Sequence, residues 1–194
     1  MIPEILKDIL VGFVPTVLAW FFFFVLLAPK IGFSSRIKKQ PNSDHVQETS
    51  NYSFRYKVGI RNESFNAFGL FRNDLNTLVV SARIIWSEKT EDSDKGRKIF
   101  ANIPIEYSEF KYEIPLLERN NNTKLMRWVD LAYKDLSVHQ AFPSWVKEIL
   151  NRPDYLLEDL MDSDTQLWIF VQAHGSLSGH VKHFVKKFAK SEIT

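Results

Sequence analysis

Residues 9 to 28, ILVGFVPTVLAWFFFFVLLA, are twenty consecutive positions without a charge. As a helix rising 1.5 Å per residue, such a run measures roughly 30 Å, the hydrocarbon thickness of a bilayer. Fourteen of its residues are Leu, Ile, Val or Phe. At about −0.3 to −0.6 kcal/mol each near a helix centre, they outweigh Gly12, Pro15 and Thr16. The alternatives are a cleaved signal peptide and a buried soluble helix. A signal peptide has a shorter apolar region behind a basic start, whereas here Glu4 and Asp8 offset Lys7. The sequence therefore predicts a retained membrane anchor within residues 1–29.

Flanking charge sets the expected orientation. Lys7 alone precedes the run, whereas Lys30, Arg36, Lys38 and Lys39 follow it closely, so the C-terminal part is expected in the cytoplasm with the N-terminus outside. Those four cations are candidates for contact with anionic lipid headgroups, at about 1 kcal/mol each. Asn51, Asn62 and Asn121 open Asn-x-Ser/Thr triplets, a pattern without a use in a cytoplasmic domain.

Residues 40–51 are polar and aperiodic, so 30–51 reads as a basic juxtamembrane segment and linker, with the folded domain at 52–194. Within it, period-two alternation marks strands. Phe54, Tyr56, Val58 and Ile60 share one face, as do Leu78, Val80, Ala82, Ile84 and Trp86, and again Phe110, Tyr112 and Ile114. Residues 99–105 and 125–133 alternate more weakly. SEKTEDSDKG (87–96) is a polar loop. Residues 143–163 carry two short helical patterns divided by Pro153, with Asp154 placed to cap the second. Leu167, Ile169, Val171 and Ala173 then alternate with Trp168, Phe170, Gln172 and His174, and residues 181–188 form the expected partner strand. Seven short strands and a helical insertion predict a mainly β fold, an immunoglobulin-like sandwich behind the membrane helix.

Chemistry is sparse. The chain of 194 residues has no cysteine, and 25 Lys and Arg against 23 Asp and Glu give a charge of +2. Disulfides, thiolate chemistry and a global basic field for nucleic acid are thereby excluded. Gly175-Ser-Leu-Ser-Gly179 places Leu177 where a G-x-S-x-G nucleophile would stand. A triad of Ser176 or Ser178 with His174 has no positive support. His174, His180 and His183, with Asp162 or Asp164 nearby, are candidate metal ligands, but His180 and His183 fall on opposite faces of a strand. Gly175 and Gly179 fit a hairpin turn better. The carboxylates of 154–164 suit a solvated helix face, and the C-terminal lysines protect a strand edge or meet phosphates, RNA or lipid headgroups. No phosphate-binding glycine loop occurs.

FRYKVGIRN (54–62), LVVSARIIW (78–86) and LWIFVQAHGSLSGHVKHFVKKFAKSEI (167–193) together resemble the cytoplasmic domain of inward-rectifier potassium channels. That family also has a hydrophobic strand running into a turn with a small hydroxyl residue and glycine, then a further strand and an acidic-Ile pair. Ser178, Gly179, Glu192 and Ile193 occupy those places here. The resemblance implies an immunoglobulin-like sandwich in the cytoplasm, but a single apolar run and no Thr-x-Gly-[Tyr/Phe]-Gly filter leave no basis for conduction. LAPKIGFSSRIKK is also similar to small single-pass bacterial membrane proteins of unassigned role.

The sequence thus points to a membrane-anchored, non-catalytic protein whose sandwich binds a protein partner, with no cofactor, metal or nucleic acid expected. Asp154, Glu158, Asp159, Lys186 and Lys187 are the candidate partner contacts, and a homo-oligomer is an open alternative. A second reading is a membrane effector of a bacterial defence system, whose sandwich senses a signal and whose helices assemble to perturb the bilayer. A hydrolase built on the histidine segment ranks last.

Overall fold

The computed structural model describes residues 4–41, 53–67, 71–88, 97–106, 113–117, 126–138 and 142–194. Expectations for Phe110, Tyr112, Leu125, Asn51, Asn121 and the centres of the 42–52 and 89–96 segments lie outside them.

The chain opens with helix α1 (Glu4–Trp20), which contains Pro15. Proline removes one backbone donor from the helix interior, and in that loosened stretch the Thr16 hydroxyl donates to the Gly12 carbonyl at 2.8 Å. The helical course continues as a π-helix over Phe21–Leu26. Among the described residues, no helix is long and apolar enough to cross a membrane. With 17 residues, α1 alone is about 25 Å long, against about 30 Å of hydrocarbon. The expected single spanning α-helix is therefore not found as one element.

Thirteen strands follow among the described residues: β1 (Ile31–Phe33), β2 (Lys38–Pro41), β3 (Phe54–Asn62), β4 (Asn66–Ala67), β5 (Phe71–Arg72), β6 (Leu75–Glu88), β7 (Arg97–Ile103), β8 (Ile105–Glu106), β9 (Glu113–Leu117), β10 (Arg127–Leu131), β11 (Ser137–Val138), β12 (Gln166–Gly175) and β13 (Val181–Ala189). The smaller sheet runs β1-β3-β10-β8 with β2 also on β3; the larger runs β11-β7-β6-β12-β13 with β9 also on β6; β4 and β5 form a separate hairpin. Every strand pair is antiparallel.

The core follows from alternation. Tyr56, Val58 and Ile60 of β3, with Val129 and Leu131 of β10, form one buried cluster with Leu78, Val80, Ala82, Ile84 and Trp86 of β6 and Leu167, Ile169, Val171 and Ala173 of β12. The result is a mainly β, sandwich-like fold of two antiparallel sheets.

Three features differ from the sequence reading. Residues 31–41 are not linker: β1 and β2 pair with β3, and Ile37 is fully buried and bridges to Ile193. The strand KKQP of β2 has no apolar alternation and is held by its partner instead. The first insert helix, α2 (Ser144–Leu150), forms, but the second shrinks to a 3-10 turn at Leu157–Leu160. Asp154 does not cap that turn; the carboxylate of Asp159 accepts from the Leu156 amide at 2.8 Å. The hairpin is as expected: Gly179 adopts φ +66° and its amide donates to the Gly175 carbonyl at 2.9 Å.

Candidate functional site

The most elaborated polar structure lies where the helix enters the sandwich. Leu27, Ala28 and Pro29 are buried, so the backbone there needs internal partners. Asn73, fully buried, donates from Nδ2 to the Leu27 carbonyl at 2.7 Å. The Lys30 amide donates to Ser64 Oγ at 3.0 Å, and the Lys30 carbonyl accepts from the Glu63 amide at 2.9 Å. Asn62 completes the socket: its Nδ2 donates to the carbonyls of Asn73 (2.9 Å) and Leu117 (3.1 Å), and its Oδ1 accepts from the Ser64 amide at 2.9 Å. The Asn62 amide group is thus an internal strut, unavailable as a glycan acceptor in the folded domain. Above the socket, Phe24 packs on His180 with ring centroids 4.4 Å apart.

The chain then threads into the sheet rather than lying free. Ser34 Oγ accepts from the Gly59 amide at 3.1 Å. Ile37 exchanges backbone bonds with the C-terminus, its amide to Glu192 (2.9 Å) and its carbonyl from Thr194 (2.9 Å). The four proposed headgroup contacts separate accordingly. Lys30 and Arg36 are exposed. Lys38 is exposed but lies 4.2 Å from the Trp128 ring centroid. Lys39 is turned inward, ion-paired with Glu158 and 4.4 Å from the Phe54 ring centroid.

Glu158, expected at a partner surface, is the hub of that inward cluster. It accepts from Lys39 Nζ and from the Tyr56 phenol, and so ties β2, β3 and the insert together. Burial pushes its carboxyl up, but the bonds from Lys39 and Tyr56 outweigh this and hold it below the ordinary carboxylate value. Burial, then the bond to Glu158, pushes the Tyr56 phenol far up. Tyr56 and Tyr155 both pack edge-on against Tyr133, at 5.0 and 5.8 Å, and burial, with Tyr155 next, pushes Tyr133 up to about 12. Such an arrangement holds protons in place and suits a structural clasp.

Of the other candidates, Asp154 is exposed, Asp159 is engaged by Leu156, Lys186 lies 4.0 Å from Glu192 and Lys187 lies 4.1 Å from the Trp168 ring centroid. The structure therefore joins Lys39 to Glu158 and leaves the remaining candidates apart. The histidines do not converge: His180 meets Phe24, His174 faces Gln172, and His183 is exposed in register with Gln172. Among the described residues, no group of three or more His, Asp or Glu side chains could hold a metal. Ser178 Oγ accepts from the His180 amide at 3.3 Å, a turn contact. The structural role of Asn62, Ser64 and Asn73 had no sequence signal: Asn62 and Ser64 stood out only as an Asn-x-Ser triplet, and isolated polar residues at strand ends and in loops carry no periodicity.

The sequence matches no protein-family model, and no curated protein is significantly similar to it.

Proposed function

We propose that this is a single-pass membrane-anchored, non-catalytic protein whose immunoglobulin-like sandwich presents a binding surface to a protein partner at the membrane. The observation that carries the reading is the state of the helix. Every side chain from Val11 to Phe21 is exposed, with Val11 at 68% and Phe13 at 63%. An apolar surface of this extent needs a partner, and a bilayer is the partner that suits an apolar helix exposed on all sides. The π-helical continuation Phe21–Leu26 extends the apolar course beyond α1 to the buried socket. Lys30 and Arg36, exposed just past it, suit anionic headgroups and favour a cytoplasmic sandwich. The mechanism is tethering: confinement raises the effective concentration of the sandwich for other membrane-bound proteins.

The test is membrane fractionation of the full chain and of a form starting at residue 27. The full chain is expected in the membrane pellet after alkaline extraction, and the shortened form in the supernatant. Recovery of the full chain in the aqueous fraction, monomeric and folded, would sink the reading. Protease accessibility of the sandwich in sealed vesicles then reports its side.

A further inference from the structure

The register places an unusual set of side chains on the outward face of the larger sheet. Trp168 pairs with Arg83 on one side and Lys187 on the other, and Phe170 and Phe100 lie diagonally about Arg83. The Arg83 guanidinium sits between two phenyl rings, 5.4 Å from the Phe100 centroid and 5.2 Å from that of Phe170. Its Nε finds no hydrogen-bond acceptor among the described residues. Lys187 and Lys98 lie 4.1 and 6.0 Å from the Trp168 ring centroid. None of the three cations forms an ion pair among the described residues, and no described outward side chain of β6, β7, β12 or β13 is a carboxylate. Glu113 is in register with Val79, toward the other end of the face. Trp168, Phe170, Phe100 and Arg83 are all partly exposed.

We infer that this face is a platform for single-stranded nucleic acid. Among the described residues its cations have no neutralising partner, so the occupant is anionic. Its aromatic rings interleave with the cations, so the occupant also offers planar groups. An unpaired strand of nucleic acid supplies phosphates and exposed bases in alternation; an acidic peptide would satisfy the charges and leave the rings idle. A lipid surface fits less well. The helix meets the sandwich at the β12–β13 turn, through Phe24 and His180. Trp168 lies about 20 Å along β12 from that turn at ~3.3 Å per residue, more than two screening lengths of about 8 Å at physiological salt. The chain as a whole carries a net charge of +2. A net charge excludes a global field, and here the field is local.

The inference stands independently of membrane anchoring and is tested on the full chain in neutral detergent micelles. The probe is a fluorescein-labelled 12-nucleotide oligothymidylate, read by anisotropy and by quenching of tryptophan fluorescence. Trp168→Leu is expected to weaken binding about 5- to 150-fold, the range for loss of one stacked base, and to abolish the quenching. Arg83→Gln is expected to flatten the slope of log K against log salt by about 0.7. Both side chains point away from the core, and an unchanged urea midpoint verifies the fold; should Arg83→Gln fail that control, Lys187→Gln takes its place. Equal or tighter binding of a blunt duplex, unchanged affinity of Trp168→Leu, or no binding of the oligonucleotide at low salt would each overturn the inference. So would preferential binding of polyglutamate or of phosphatidylglycerol vesicles.

Discussion

Replacing Glu158 by alanine tests whether Lys39 belongs to the membrane surface or to the fold. The substitution leaves the Tyr56 phenol, on a fully buried residue, without the acceptor it now has. An unsatisfied buried donor costs about 1–3 kcal/mol. The Lys39 ammonium also loses its partner, but with 23% of that side chain exposed it can rehydrate, and this part is worth about 0.5–1 kcal/mol. The expected loss is about 2–3 kcal/mol, or roughly 5–10 °C in Tm for a chain of this size. Glu158→Gln keeps an oxygen for Tyr56 and removes only the charge, so it should cost about 1 kcal/mol. Urea unfolding of the full chain in detergent, followed by hydrogen exchange at Lys38 to Gln40, reads both effects, since β2 is held to the insert through this contact. If Glu158→Ala lies within about 0.5 kcal/mol of wild type, or if the two substitutions cost the same, the clasp is refuted. Lys39 would then be free to meet lipid.

Three further outcomes follow from the same geometry. Glu158 titrates below its ordinary value when folded, so its stabilising share is complete above the ordinary carboxylate value of about 4.3 and is lost as pH falls through the folded one. The stability gap between wild type and Glu158→Gln should therefore close on going from about pH 7 to about pH 3, measured by urea midpoints; a gap that widens contradicts the assignment. Thr77 holds φ 51° at the irregularity where β6 and β12 shift register between Gln172 and His174. A β-branched residue in that region is strained by about 1–2 kcal/mol, and Thr77→Gly should recover roughly 1 kcal/mol in thermal unfolding. Asn73→Ala removes the donor to Leu27 and should cost about 1–3 kcal/mol; limited proteolysis after Lys30 should speed up, and an unchanged cleavage rate would show that the socket does not depend on this amide.

The strands that build the core were legible because burial on one face leaves a period-two trace. Leu78 to Trp86 and Leu167 to Ala173 carry it, and all nine of these inward residues are buried. What escaped depends on partners distant in sequence. The pairing of β2 is set by Lys39 meeting Tyr56 in register, and nothing in KKQP announces it. The pattern Tyr155, Leu156, Leu157, Leu160 and Met161 satisfied a helical template, yet the segment contains only one 3-10 turn, with Leu156 half-buried and the other four side chains buried. Short apolar patterns cannot separate a helix from a well-anchored loop. The cationic aromatic face is another case: Trp168 and Phe170 read only as making β12 apolar on nearly both faces. Arg83, Phe100 and Lys98 reach them only through the order of the strands.

The socket also bears on how the helix can act. In the effector reading, helices assemble with one another, which needs a seam of small residues and polar groups able to bond across it. Gly12 is open, with nothing within 4 Å of a Cβ built on it, but the Thr16 hydroxyl four residues on is engaged by the Gly12 carbonyl of its own helix. Asn73, Ser64 and the packing of Phe24 on His180 hold the helix end to the sandwich. The helix therefore cannot turn a chosen face toward a neighbour without turning the sandwich with it. Any helix assembly must share one symmetry with the sandwiches, and the lysine-bearing edge of β13, with Lys182 and Lys187 exposed, disfavours strand-to-strand joining there. A sandwich joined to its helix end through Asn73, Ser64 and His180, its cationic face lying farther along β12 from that junction, is the arrangement these contacts leave.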